Sequence, residues 1–310
     1  MVKIKLSLGS AMSLNLIKGK LNIPFTTLYL MVGNECISNC SFCTQSKDAR
    51  MREKLSRVTW YEYNENEIID AIDGKKYSRI CFQTLDYPEV MEDLLKILPE
   101  FYKLNIPISV SIAPPLNGNL KSISEYVDTI SIALDASNAD LFDKVKGKER
   151  GNRFTWEGHW KNLLEAKNYF KNVNTHLIVG LGESDEDIIK TMINLKNFGI
   201  STALFSYTPA LGKGSYPPIE RYRKIQISRC LIYDYKAEFE DFIFNEKHEL
   251  TKIKSEYLKN VMDDAKCFMT SGCPGCNRPF YNEEPRKIYN YPYLPNREEL
   301  KKIKNEVKIK

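Results

Sequence analysis

TTLYLMVGNECISNCSFC, residues 26–43, begins as an apolar, β-favouring run and ends in a tight group of three cysteines. The run 26–32 has the length and side chains of a buried strand, and Gly33-Asn34 ends it. Working outward, the same kind of run returns at 79–84 (RICFQT), 107–112 (PISVSI), 129–134 (TISIAL), 174–179 (NTHLIV) and 202–206 (TALFS). Between the runs lie amphipathic stretches. Residues 88–103 set Val90, Leu94, Leu95, Leu98 and Phe101 on one face, and residues 156–170 do so with Trp156, Trp160, Leu163, Leu164 and Phe170. Stretches 184–198 and 219–236 complete the set. Strand–helix units in this succession predict an α/β fold, a parallel sheet curled into a partial (β/α)6 TIM-like barrel. Chemistry in such barrels gathers at the C-terminal ends of the strands, and the cysteine group follows the first strand directly. The expected organisation is an N-terminal segment 1–25, a barrel 26–245 and a C-terminal extension 246–310. Within the extension a helix is predicted at 250–264, then the cysteine-containing stretch CFMTSGCPGCNRPFYNEEP, an extended wrap, and a charge-laced final helix.

Cys36-Ile-Ser-Asn-Cys40-Ser-Phe-Cys43 spaces its thiols as C-x3-C-x2-C. Three thiolates on one loop can hold three irons of a cubane cluster and leave the fourth open to a ligand. A structural zinc ion asks for four ligands, and this loop has no fourth. His159, His176 and His248 share no ligand spacing.

This motif, with the aromatic Phe42 before its last cysteine, resembles the signature of the radical S-adenosylmethionine (SAM) superfamily. The resemblance implies a [4Fe–4S] cluster on Cys36, Cys40 and Cys43 whose open iron chelates SAM. Reductive cleavage of SAM then gives a 5′-deoxyadenosyl radical that takes hydrogen from an unactivated carbon. Residues 133–137 (ALDAS) are similar to a segment of the biotin synthase-like branch, which implies that Asp135 binds the SAM ribose hydroxyls. By the same resemblance Arg153 pairs with the SAM carboxylate, a task that suits a guanidinium fork. Residues 178–183 (IVGLGE) look like the branch's fifth-strand motif, with Gly180 and Gly182 where backbone approaches SAM. Gln83 and Thr84 end the second strand, where the family's SAM amino-group loop lies, although its glycine-rich form is absent. A dinucleotide fingerprint fails at Gly180-Leu-Gly182, because the third glycine position is Asp185.

Cys267-Phe-Met-Thr-Ser-Gly-Cys273-Pro-Gly-Cys276 is a second group, C-x5-C-x2-C. It reads as an auxiliary iron–sulfur site with its fourth ligand unassigned, or as a structural zinc site with Cys230 as fourth ligand. A thioredoxin-like redox pair lacks its β-α-β context. Biotin synthase holds its second cluster inside the barrel, whereas this chain has Asn174 at the fifth-strand position and no cysteine in the third strand. The single-chain lipoyl synthases carry an extra cysteine motif before the radical SAM motif, and this chain has no cysteine before Cys36. SGCPGCNRPFYNEEP looks most like the two-component lipoyl synthases. That resemblance implies a second [4Fe–4S] cluster on Cys267, Cys273 and Cys276, sulfur insertion into an octanoyl chain on a lipoyl carrier domain, a related radical SAM partner protein, and an electron donor such as ferredoxin.

Composition sets the remaining bounds. A net charge of +5 permits an acidic partner surface without demanding nucleic acid. Neither a signal-peptide pattern nor a membrane-spanning run stands out, so the expected setting is cytoplasmic, with no membrane partner. Eight cysteines in that reducing setting read as metal ligands before disulfides.

Overall fold

The computed structural model describes residues 2–49, 51, 53–72 and 77–307. The chain opens with strand β1 (Ile4–Ser7) and helix α1 (Leu8–Ser13), then β2 (Thr27–Val32), the short β3 (Lys54–Leu55), β4 (Val58–Tyr63) and α2 (Glu65–Ala71). The alternating part continues through β5 (Arg79–Thr84), α3 (Val90–Tyr102), β6 (Ile108–Ser111), β7 (Thr129–Ser131), α4 (Ala139–Val145), α5 (Trp156–Ala166), β8 (Asn172–Val179), α6 (Asp185–Asn197), β9 (Ser201–Ser206) and α7 (Ile219–Asp234). A hairpin of β10 (Phe242–Phe244) and β11 (Leu250–Ile253), then α8 (Leu258–Asp263) and α9 (Arg297–Glu306), complete it.

Nine strands form one sheet in the order β3-β4-β1-β2-β5-β6-β7-β8-β9. From β2 to β9 the six neighbours pair in parallel, as the six apolar runs predict, giving a partial barrel open between its edges. Residues 4–7, expected outside the barrel, instead lengthen the sheet: β1 runs antiparallel between β2 and β4. Helices cover the outer face. Phe82 of β5 meets Phe101 of α3 edge-on at 5.1 Å, and Leu94, Ile97 and Leu98 share that fully buried layer.

One predicted element differs. Residues 250–253 are a strand rather than the start of a helix, because Leu250 and Ile253 turn inward beside Phe242 while Thr251 and Lys252 stay exposed. The helix begins only at Leu258.

The extension returns across the barrel. Cys273-Pro274-Gly275-Cys276 seats at the N-terminal ends of β2 and β5, where the hydroxyls of Thr26 and Thr27 donate to the Gly275 carbonyl and Arg79 Nε donates to that of Pro274. Two glycines allow the close fit. Gly272 (φ +118°) passes so near β9 that a Cβ there would lie 2.7 Å from the Cβ of Ala203, and Gly275 (φ +76°) turns against Ser78.

Candidate functional site

Alternation along the parallel strands decides what the barrel encloses. Leu28, Leu30, Ile80 and Phe82 face the helical layer, while Tyr29, Met31 and Cys81 point the other way. The interior face continues as Gln83, Ser109, Ser111, Ser131, Asn174 and His176, all lining one central cavity. A barrel core of ordinary aliphatic layers would have no room for a ligand; this one leaves a pocket of mainly apolar and aromatic wall, interrupted by inward hydroxyl, amide and imidazole groups.

At the C-terminal ends of the strands the cavity is bounded by Phe42, Cys43, Gln83 and Asp135. The cysteine loop is held from two sides. Ile37 N–H donates to the Asp86 carbonyl at 2.8 Å, and Ser38 Oγ donates to the Asp86 carboxylate. On the far side Ser41 N–H donates to the Val145 carbonyl at 2.8 Å, Asn39 N–H to Asn152 Oδ1 at 2.7 Å, and Arg150 Nε to the Asn39 carbonyl at 3.0 Å. Burial pushes the Cys36, Cys40 and Cys43 thiols up, Cys43 to about 12. Deprotonation there becomes favourable when a metal cation takes the proton's place. Among the described residues no three His, Cys, Asp or Glu side chains close around a single ion. A cluster asks for a wider spacing, since each thiolate takes its own iron. Three free, soft thiols on one braced loop, with Cys43 in the cavity wall, fit a cubane with one open corner. Ser206, at the end of β9, adds a buried cavity-wall hydroxyl with no hydrogen-bond partner among the described residues.

The remaining expected SAM residues fall into two sets. Asp135 sits just past β7 at φ +64°, its N–H donating to the His176 carbonyl at 2.8 Å and its carboxylate accepting from Lys146 Nζ at 2.7 Å. Lys146 remains charged: burial opposes the charge, but Asp135 and the neighbouring cysteines outweigh it and raise its pKa. Arg153 binds Asp86 Oδ1 at 2.5 Å and the Pro114 carbonyl at 2.7 Å, with Phe154 stacked beneath at 4.7 Å, so it braces the cysteine loop. Thr84, Arg153, Gly180 and Gly182 stand outside the lining of the cavity. In the 180–183 loop the Gly180, Leu181 and Gly182 N–H groups all donate to the Glu183 carboxylate, which Arg221 also holds.

His176, whose ring faces the cavity 3.1 Å from Ser131 Oγ, is kept neutral: burial lowers it to about 4. His159 packs among Phe142 and Phe154, and burial lowers it to about 2.

The tail thiols divide differently from their spacing. Cys273 and Cys276 line the central cavity, but Cys267 does not. Cys267 lies in the core on the outer, helical side and forms a disulfide with Cys230 of α7, their Cα atoms 5.7 Å apart. The expected trio of Cys267, Cys273 and Cys276 is therefore not brought together, because the 3-10 turn Ala265–Phe268 packs against α7 while the chain beyond it crosses into the barrel. In its place Cys81, a lone cysteine in the sequence, reaches the cavity beside Cys273 and Cys276. Its inward parity with Tyr29 and Gln83 was the available signal. Lys146 and Asp86 carry no motif of their own: Lys146 acts through Asp135 on the preceding strand end, and Asp86 through Ser38 and Arg153, both far away in the chain.

Comparison with known proteins gives this geometry a family. A profile described as "Radical SAM superfamily" matches residues 30–194, more than half of the chain. The chain is 25% identical over 185 residues to the mitochondrial lipoyl synthase of Drosophila pseudoobscura pseudoobscura, covering 56% of this chain and 47% of that protein. It is 24% identical over 233 residues to the biotin synthase of Methanococcus aeolicus, covering 68% and 67%. The chain thus spans about half the length of the first relative and two thirds of the second. Among solved structures, Streptococcus suis SuiB bound to its precursor peptide SuiA superimposes with a TM-score of 0.51 at 13% identity, covering 74% of this chain and 50% of that one, a likeness of fold. The chain belongs to the radical SAM superfamily, in a branch similar to both lipoyl and biotin synthases.

Proposed function

We propose that this protein is a sulfurtransferase of the lipoyl synthase type, one component of a two-protein system acting on an octanoyl chain carried by a lipoyl domain. The observation that carries the reading is a single cavity with thiols at each end, Cys43 among the upper wall and Cys81, Cys273 and Cys276 below. The strand β5 gives the scale: Cys81 and Thr84 are three residues apart, on the order of 10 Å of strand rise. A short alkyl chain fits such a span, between a site of hydrogen abstraction and a source of sulfide.

When bound, the cluster and SAM of the family supply a one-electron cleavage that removes a hydrogen atom from an unactivated carbon. This chain's own residues prepare for it. Cys36, Cys40 and Cys43 would hold the cluster, and Asp86 with Arg153 fixes the loop that presents them. Asp135, steadied by Lys146, offers a carboxylate to the ribose hydroxyls. Tyr29, Phe205, Ile178 and Tyr281 supply apolar wall that excludes water and suits a hydrocarbon substrate. Neutral His176 adds a polar contact without a competing charge. A modest positive charge suits docking of an acidic carrier domain, and the low-potential electron would come from a donor such as ferredoxin.

The test is anaerobic reconstitution with SAM, dithionite and an octanoylated lipoyl-domain peptide, alone and with a related radical SAM partner. The expected product gains one sulfur with this chain alone and a second with the partner present. Formation of 5′-deoxyadenosine with no sulfur in the peptide removes the sulfur-insertion reading.

A further inference from the structure

We infer that Cys81, Cys273 and Cys276 form a second iron–sulfur site at the N-terminal mouth of the barrel, and that Cys267 belongs instead to a covalent tie with Cys230. The inference rests on the reading above only in giving the site a use; the ligand set stands on its own geometry.

Tyr29 and Cys81 are register partners on β2 and β5, both directed inward. The Tyr29 hydroxyl lies 3.4 Å from Cys276 Sγ and accepts the Arg278 N–H at 2.6 Å, which fixes the tail thiol beside the strand thiol. Cys273 completes the group from the other side, its sulfur 4.0 Å from Asn174 Nδ2 on β8. At position 174 the barrel thus carries an asparagine next to a thiol delivered by the tail.

All three cysteines line the same cavity. Three thiols gathered in a buried place are costly as thiolates unless cations stand by. Two do: Arg79, paired with Asp128, donates to the backbone of the Cys-Pro-Gly-Cys turn, and Arg278 stacks on Phe205 with its guanidinium in the cavity wall. Three thiolates on a [4Fe–4S]²⁺ core carry one net negative charge, and these arginines complement it. Cys267, buried on the helical side, cannot be the third ligand without dismantling the packing of the Ala265–Phe268 turn on α7.

The experiment removes the first cluster and counts what remains. A Cys36→Ala/Cys40→Ala/Cys43→Ala protein, reconstituted anaerobically, is expected to hold about four iron and four sulfide and to give a cluster signal by electron paramagnetic resonance after reduction. Adding Cys81→Ala should bring iron to background, whereas adding Cys267→Ser or Cys230→Ser should leave it unchanged. Cys81→Ala in the otherwise intact chain serves as the folding control, and should keep the roughly four irons of the first cluster. Retention of the second cluster in the Cys81→Ala background, its loss with Cys267→Ser, or no iron at all in the triple variant overturns the assignment. A second cluster that needs Cys81 but yields no sulfurated peptide keeps this ligand set and ends the sulfur-insertion reading instead.

Discussion

Lys146 Nζ lies 2.7 Å from Asp135 Oδ2, and a second hydrogen bond of 2.6 Å anchors it on the Ala133 carbonyl. Both side chains are almost wholly withdrawn from solvent. The pair joins the end of β7 to the end of α4, next to the Cys36–Cys43 loop, and Asp135 reaches it from left-handed backbone at φ +64°. Such backbone is unfavourable for a side chain bearing a Cβ, so the ion pair and the bridge to β8 hold the carboxylate where the chain alone would not.

Replacing Lys146 with Met should therefore destabilise the protein by about 3–5 kcal/mol, because it strands a buried carboxylate. Adding Asp135→Asn should restore most of that loss in urea unfolding, while SAM affinity stays reduced. The pH sign follows from the raised lysine pKa. The stabilisation is complete below the ordinary lysine value, about 10.5, and is lost only as pH rises through the folded value. A Lys146→Met protein that unfolds like the parent contradicts this account.

Asp86 is the second lever. It accepts from Ser38 and Arg153 through its carboxylate and from Ile37 through its carbonyl. Asp86→Asn keeps the shape but removes the charge from two charge-assisted bonds, each worth about 1.5–3 kcal/mol. The SAM concentration for half-maximal 5′-deoxyadenosine formation should rise roughly ten-fold or more. An unchanged value would show that the loop is fixed by Asn152 and Arg150 without Asp86.

Acid should weaken the fold through its histidines. Burial lowers His176 to about 4 and His159 to about 2, whereas unfolded histidine titrates near 6.5. The unfolded chain then binds more protons below about pH 6.5, so stability falls as pH drops, the His176 share levelling off near pH 4. His176→Gln should shallow this limb by up to about one proton between those values, measured from denaturant unfolding at several pH values. Parallel curves for the variant and its parent would place the acid sensitivity elsewhere.

The barrel and its first cysteine loop were legible because their signals are local. Six apolar runs fix six strands, and C-x3-C-x2-C confines three thiols to one turn of loop. The second thiol group was legible only in part. Cys273 and Cys276 are close in sequence and in space, but Cys81 and Cys276 are separated by most of the barrel, and only the inward parity of β5 links them. The C-x5-C spacing misled for a plain reason. Six residue steps of extended backbone span roughly 20 Å, enough for Cys267 to remain on the helical side while Cys273 enters the cavity. The 250–253 strand was missed because Leu250 and Ile253 are spaced as well for a helix face as for the bulged hairpin that they form.

Gly272 decides whether the tail can deliver its thiols at all. Any side chain there faces two penalties: φ of +118°, and an Ala203 Cβ only 2.7 Å from the new Cβ. The backbone conformation alone costs about 1–3 kcal/mol, and the contact must push the tail off β9. Ser271, next in line, would lose its hydrogen bond to the Leu204 N–H (3.0 Å), and Cys273 its place beside Asn174. The barrel strands do not depend on that fit. Gly272→Ala should therefore keep the first cluster and lose the second, so reconstituted iron falls from about eight to about four. Limited proteolysis should cut within residues 269–290 in the variant and spare the parent. Adding Ala203→Gly relieves the contact but not the dihedral, so it should recover only part of the lost iron; full recovery would mean that contact, not backbone conformation, sets the requirement for glycine.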